Sequence, residues 1–389
     1  MSLITPDNHL AIMAVLFLIS AAGFSLEKTK VGRQLTGAVI VILLTIATAN
    51  LNIIPHQAVA YDFVFKYIVP MLIPLFLFKA DLKRILFETT RTTFAFLIAS
   101  IGTVLGVLIA IILFDFSSLA TTAPINVDQR EAAIAGLFTS SYIGGSVNYA
   151  ALGEMTGLIK DASFFSAATA TDNLCSAIFL GLLATLPGWQ WLVRRFAFQR
   201  DNIDLSVPKP VKTASEHPVS AMSLCISIAL SLSIVVVSDV LVQMFDLTHW
   251  RYILISVLAL IIATLGSNHM RYLAGSFEMG VGLSFVFFAA IAAGADVVAM
   301  VKVAPLLIIL VVVLLSVHLL VVLSVGRLFR LTLPELITAS NAAILGATTA
   351  PALAAAKGWH DQVTPGVLVG VFGYALGTFV GSLVFTMLS

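Results

Sequence analysis

LFTSSYIGGSVNYAALGEMTG, from Leu137 to Gly157, has a second version in the same chain: LITASNAAILGATTAPALAAAKG, from Leu336 to Gly358. Leu137-Phe138-Thr139 matches Leu336-Ile337-Thr338, and Ser141 matches Ser340. After a two-residue insertion, Ile143, Gly145, Ala151, Leu152 and Gly157 match Ile344, Gly346, Ala352, Leu353 and Gly358. Each copy interrupts an apolar stretch of membrane length with small, hydroxylated and Gly-rich residues. Hydrocarbon offers no water to unpaired backbone groups, so a broken helix persists there only where protein or a water-filled cavity satisfies them. Paired interruptions in the two halves of a chain point to the binding site of a secondary transporter.

The surrounding sequence agrees. Hydrophobic residues make up 59% of the 389 residues and charged residues 11%, against roughly 25% charged in a soluble domain. With a mean hydropathy of +1.04, a water-soluble globular protein is excluded. The net charge of +1 offers no basic face for nucleic acid. Cys175 and Cys225 both lie in apolar segments, which argues against a disulfide framework. The N-terminus lacks a basic n-region and a small-residue cleavage site, so residues 9–26 read as a retained span rather than a signal peptide.

The expected fold is an all-α polytopic membrane protein of about 11–13 transmembrane helices, each needing roughly 20 apolar residues. Spans are expected near 9–26, 33–53, 62–80, 92–115, 131–158 (interrupted) and 162–187, then near 219–245, 251–267, 276–297, 302–326, 334–357 (interrupted) and 364–388. Residues 1–188 form one repeat half and 219–389 the other. The polar segment 189–218 joins them as a cytoplasmic or interfacial linker, opening with the aromatic and basic run Trp189 to Arg200.

Charge sets the two halves in opposite orientations. Lys79, Lys83, Arg84 and Arg91 follow the third span, whereas only Lys302 follows the ninth. Arg130 stands alone before the first interrupted span, and its counterparts are Arg327 and Arg330. The positive-inside rule makes this an inverted repeat. Six spans per half would instead make the halves parallel. One segment is therefore miscounted or re-entrant, and residues 160–218 are the expected place.

Thr139, Ser140, Ser141, Gly144, Gly145, Asn148 and Tyr149 would line the first break. Thr338, Ser340, Asn341, Gly346, Thr348 and Thr349 would line the second. Half-helix ends there offer N–H groups to anions and carbonyls to cations. Hydroxyl and amide oxygens suit Na⁺; the alternative is that small residues simply let helices pack closely. Asp172 is the sharpest single signal, because a carboxylate in the middle of a span costs about 2.5–3.5 kcal/mol on insertion scales. It would hold Na⁺ or exchange a proton for it, with Asn173 and Thr171 supplying neutral oxygens; the alternative is a hydrogen bond to a neighbouring helix. Its counterparts near Gly373 and Tyr374 are neutral, which suggests one charged ion site.

Glu154 reads as a gate, a substrate contact or an interfacial carboxylate, and Lys357 as a snorkelling cation. His318 reads as a packed, hydrogen-bonded histidine or a proton relay. Glu278 and Asp239 fall near span ends, and Pro70 and Pro74 should kink the third span.

The full length, the FTSSYIGGSVNY and ITASNAAILGATTAPALA segments and the TDN triplet at Thr171 to Asn173 resemble the YjcL-like bacterial membrane proteins. That family is catalogued as a domain of unknown function. It is grouped with the cation:proton antiporter and anion transporter superfamily, which includes glutamate:sodium and bile-acid:sodium symporters. The resemblance implies a moving core with two interrupted helices crossing near the midplane, a fixed scaffold that mediates a homodimer, and a bacterial inner membrane. It also implies an acidic pair that binds the ion. Here that pair is Asp172-Asn173, in the reverse order of the Asn-Asp found in the antiporter branch.

The expected function is a Na⁺-coupled (or H⁺-coupled) symporter of a small organic anion, amino acid or short peptide, with no organic cofactor. A Na⁺/H⁺ antiporter using Asp172 is the alternative. A membrane-embedded enzyme is the remote one, because no HExxH and no convincing Ser–His spacing is present.

Overall fold

The computed structural model describes residues 2–29, 37–80, 85, 88–120, 122–196, 218–246, 250–295 and 297–389. Asp81, Lys83, Arg84, Arg200, Asp296 and most of the 189–218 linker lie outside the described residues. All regular structure among the described residues is helical. The first half holds α1 (His9–Glu27), α2 (Gly37–Asn50), α3 (Val59–Leu77), α4 (Thr90–Leu113), α5 (Val127–Thr156), α6 (Ala162–Thr185) and the short α7 (Gln190–Arg195). The second holds α8 (Ala221–Phe245), α9 (Arg251–Leu265), α10 (Ser276–Ala293), α11 (Val297–Leu328), α12 (Leu333–Leu345), α13 (Thr349–Ala356) and α14 (His360–Leu388).

Among the described residues eight helices are long and apolar enough to cross a membrane, or nine if α9 and the bent turn Ser267–Leu273 form one span. The shorter α2 and α12 are also apolar. Hydroxyls inside these helices bond back to the preceding turn, as Ser20 does to the Leu16 carbonyl at 2.8 Å and Thr45 to that of Val41 at 2.8 Å. This meets their polar needs without water. In α3 the expected disturbance takes the form of a π-helical turn over Val64–Ile68, just ahead of Pro70. Pro70 has no N–H for the Lys66 carbonyl and its ring crowds that turn, which a wider turn relieves.

α3 packs on α8 and α9, while α10 packs on α1 and α2, and α3 and α10 touch each other. Each half thus lends its third long helix to the other's first two. The remaining helices form a second group, in which α11 packs on α4 and α6, and α14 on α5, α12 and α13.

The interrupted segments do not cross. A straight helix of 30 residues would hold its ends about 45 Å apart. Instead the two ends of α5 meet. A Cβ on Gly157 would lie 3.7 Å from Pro124, and Asp161 accepts a 3.2 Å hydrogen bond from the Thr122 N–H. The chain enters, turns at Gly145 and returns to the same end of the bundle.

The second interruption does likewise from the opposite end. Arg91, at the start of α4, bonds Glu335 at the start of α12 (2.8 and 3.1 Å) and the Arg330 carbonyl (3.0 Å). Its neighbour Thr92 donates to Gln362 at the start of α14 (3.0 Å). The chain therefore enters as α12, returns as α13 and starts α14 where α12 began.

This locates the departure from six spans per half. It lies in the two interrupted segments themselves, one in each half, and not in the described part of 160–218. α1, α3, α4 and α6 in the first half and α8, α10, α11 and α14 in the second are long enough to cross, with the shorter α2 and α9 packed among them. The expected crossed helices are hairpins.

Candidate functional site: two hairpin tips beside an acidic helix

The tips are built alike. Gly145 has φ 69° and ψ −168°, and Gly346 has φ 89° and ψ −169°. That region is open essentially to glycine alone, so the two matched glycines reverse the chain by the same backbone state. Both lie against one side chain. The Tyr374 ring is 3.6 Å from a Cβ built on Gly145, and its hydroxyl oxygen is 3.2 Å from one built on Gly346.

α14 is the rail on which both hairpins dock. A Cβ on Gly377 would come within 2.7 Å of the Gly144 Cα, one on Gly381 within 2.7 Å of the Gly136 carbonyl, and one on Gly366 within 3.1 Å of the Pro351 nitrogen. Only residues without side chains permit this approach of backbone to backbone.

Asn148, expected to face cargo, locks this docking instead. It is fully buried, its amide donates to the Gly144 carbonyl, and its oxygen accepts from the Thr378 N–H (2.9 Å) and the Thr378 hydroxyl. Tyr149 is likewise committed, donating to the Phe165 carbonyl (3.0 Å) and accepting from Thr169 (3.1 Å). Ser140 donates to the Leu137 carbonyl (2.7 Å) and lies 3.3 Å from the Asn148 carbonyl. In the second hairpin Asn341 ties its two arms together, accepting from the Thr349 hydroxyl (2.8 Å) and donating to the Thr349 carbonyl (3.3 Å). Thr348 is exposed just past the tip.

Asp172 does lie at the first hairpin. Ser141 donates to its Oδ2 (2.9 Å), and the Tyr142 hydroxyl is 3.5 Å from its backbone carbonyl. Asn173 bonds within its own helix, to the Thr169 carbonyl (2.8 Å), and Thr171 is buried. The matched Ser340 has a different partner, His318 Nε2, at 2.9 Å. His318 Nδ1 lies 3.0 Å from the Thr103 hydroxyl, which donates to the Tyr142 carbonyl (3.3 Å). A polar chain thus runs from the second hairpin through α11 and α4 to the first.

Two further atoms ask for a partner. Thr139 and Thr338, matched residues of the two entering arms, are 0% and 1% exposed, and neither hydroxyl has a hydrogen-bond partner. Buried hydroxyls are ordinarily paired, so these oxygens remain available to a cation. The remaining charges behave as end-of-helix groups. Glu278 lies 3.5 Å from Lys79, Asp239 holds Arg251 (2.6 and 3.0 Å), and Lys357 is exposed.

A model of the family described as protein of unknown function (DUF819) matches residues 14–389. The chain belongs to that family. It is also similar to an uncharacterized membrane protein, YjcL, of Bacillus subtilis strain 168, at 31% identity over 396 residues covering 98% of this chain and 97% of the relative. This DUF819 member is accordingly a multi-pass membrane protein set in a lipid bilayer.

Sequence reasoning missed Thr103, Tyr142, Tyr374 and Thr378 as parts of the site. For Thr103 the available signal was a hydroxyl in the middle of an apolar span. For Tyr374 the signal was its match to the Asp172 region in the other half, and for Thr378 none existed, because it reads as an ordinary residue of a small-residue helix.

Proposed function

We propose that this protein is a secondary active transporter, a Na⁺-coupled symporter of a small organic anion, amino acid or short peptide working by alternating access. The observation that carries the reading is the pair of hairpins entering from opposite ends, broken at matched glycines in one backbone state and meeting at Tyr374. Counting the shorter α2 and α9 as crossings gives one hairpin and five crossings in each half, and an odd displacement between the copies. That supports an inverted repeat. Lys79, Arg91, Arg194, Arg195, Arg327 and Arg330 gather at the α12 end, which the positive-inside rule assigns to the cytoplasm.

Na⁺ binds beside Asp172 with hydroxyls of the hairpins, among them Thr139 and Thr338, and neutralises the carboxylate. Cargo binds next to it at the tips. The group formed by α4, α5, α6, α11, α12, α13 and α14 then moves against the scaffold of α1, α2, α3, α8, α9 and α10. No organic cofactor enters this scheme, and it is not an enzymatic one. A homodimer in a bacterial inner membrane is its setting.

The test is thermal stability of the purified protein in detergent, with Na⁺ against K⁺ or choline, for wild type and Asp172→Asn. A sodium-specific rise in Tm that disappears in the variant is expected. No cation-specific shift in the wild type, or an undiminished one in Asp172→Asn, would overturn the ion site.

A further inference from the structure

We infer that a cavity at the α5 end admits a zwitterionic solute, its ammonium received by Glu154 and its carboxylate by Lys160. The cavity holds about 800 Å³ and lies between the base of the α5 hairpin with the start of α6 on one side and α3, α9 and α10 on the other. Pockets of roughly 300–1,000 Å³ are those that take small solutes.

Most of its polar lining is already engaged. Asp161 accepts from the Phe164 and Thr122 N–H groups (3.0 and 3.2 Å). Arg251 is held by Asp239, His56 Nδ1 lies 2.9 Å from the Ala293 carbonyl, and Tyr61 donates to the Pro55 carbonyl (2.7 Å). Lys66 sits 5.3 Å over the Tyr67 ring.

Among the charged groups Glu154 and Lys160 remain, with Asp62 exposed at the edge. Glu154 Oε1 is buried and has no hydrogen-bond partner. Lys160 is exposed to the cavity with no side-chain partner among the described residues, and the two are not paired with each other. An isolated buried carboxylate oxygen is costly unless a donor reaches it. A simple anion would leave Glu154 unmet and repel it, and a simple cation would leave Lys160 unmet. The lining also balances, with Asp62, Glu154 and Asp161 against Lys66, Lys160 and Arg251, so it gives a net anion no general attraction. A solute carrying both charges satisfies both groups. Taking the cavity as the cargo's way in rests on the transport reading above, and it narrows the cargo to solutes with a free amine.

The test uses the purified full-length protein in detergent with NaCl, titrated with L-alanine, L-alanyl-L-alanine, N-acetyl-L-alanyl-L-alanine, L-alanyl-L-alanine amide and succinate. Binding is read by calorimetry. A free zwitterion should bind at least ten-fold more tightly than either blocked dipeptide or succinate. Glu154→Gln should erase its advantage over the N-acetyl form, and Lys160→Met its advantage over the amide. Lys160→Met should melt as wild type does, since Lys160 holds no neighbour, and Glu154→Gln at or above wild type, since it removes an uncompensated charge. Equal binding of the blocked forms or succinate, preferences that survive the substitutions, or no binding by any of the five would overturn the inference. Zwitterion binding without a sodium effect at Asp172 would instead sink the coupling scheme and leave this site standing.

Discussion

Ser340 Oγ lies 2.9 Å from His318 Nε2, just as its matched residue Ser141 lies 2.9 Å from Asp172 Oδ2. Each hairpin thus presents the same serine to a single ionisable side chain on a neighbouring helix. The direction of the second bond follows from the first neighbour along the chain of bonds. Thr103 gives its hydrogen to the Tyr142 carbonyl, so it accepts from His318 Nδ1, and Nε2 is left to accept from Ser340. Both serines donate inward, which frees their lone pairs for a cation.

Replacing His318 by Phe should therefore strand the Ser340 hydroxyl, while Thr103 keeps its bond to the Tyr142 carbonyl. The cost is about 1–3 kcal/mol for the buried group left unsatisfied, read as a fall in Tm in detergent. His318→Gln, which retains a donor and an acceptor, should recover part of it. Equal melting of His318→Phe and wild type would show that the bonds carry no stability.

Alanine at Gly145 or Gly346 should be destabilising although nothing but Tyr374 crowds either position. The positive φ with ψ near −170° is the obstacle, at a cost of about 1–3 kcal/mol. Gly282→Ala is the control. It sits within a helix with nothing within 4 Å, so it should leave stability unchanged or raise it by up to about 1 kcal/mol, read as an equal or higher Tm. If the three variants melt alike, the tips do not depend on glycine's backbone freedom.

The breaks at Gly145 and Gly346 and the mid-span carboxylate of Asp172 were legible because each violates a local rule for apolar spans. The return of the chain was not. Hydropathy records that a segment is long and apolar, but Thr122 with Asp161 and Thr92 with Gln362 decide where it ends, and these are contacts between distant segments. The same limit applies to Asn148 and Tyr149. Their polar atoms read as free in the sequence, whereas Thr378, Phe165 and Thr169 take them in the fold. Polar residues at a break are therefore divided between those that hold the hairpin and those left unpaired, and only packing tells them apart.

The Arg91–Glu335 pair clamps α4 to the entrance of the second hairpin. Glu335 is 1% exposed and also caps α12 through the Thr332 N–H (2.8 Å), while Arg91 is 53% exposed. Arg91→Ala should cost about 2 kcal/mol, below the roughly 3–5 kcal/mol of a fully buried broken pair, because water screens the exposed guanidinium. A double-mutant cycle with Glu335→Gln measures the coupling, and strict additivity would show that the ion pair contributes nothing.

The hairpins themselves can be tested by sidedness. In a background with Cys175 and Cys225 replaced, single cysteines at Ser118 and Lys160 bracket α5, and cysteines at Arg330 and His360 bracket α12 with α13. All four positions are exposed. If each interrupted segment enters and returns, an impermeant maleimide should label Ser118→Cys and Lys160→Cys in intact cells. Arg330→Cys and His360→Cys should react only after permeabilisation, because the cation-rich end faces inward. Segments that crossed would split each pair between the two conditions. A split first pair would make the displacement between the halves even and the halves parallel, whereas a split second pair alone would leave it odd and remove only the second hairpin. All four labelled as expected would put both ends of each interrupted segment on one side, the opposed geometry that the proposed alternating access requires.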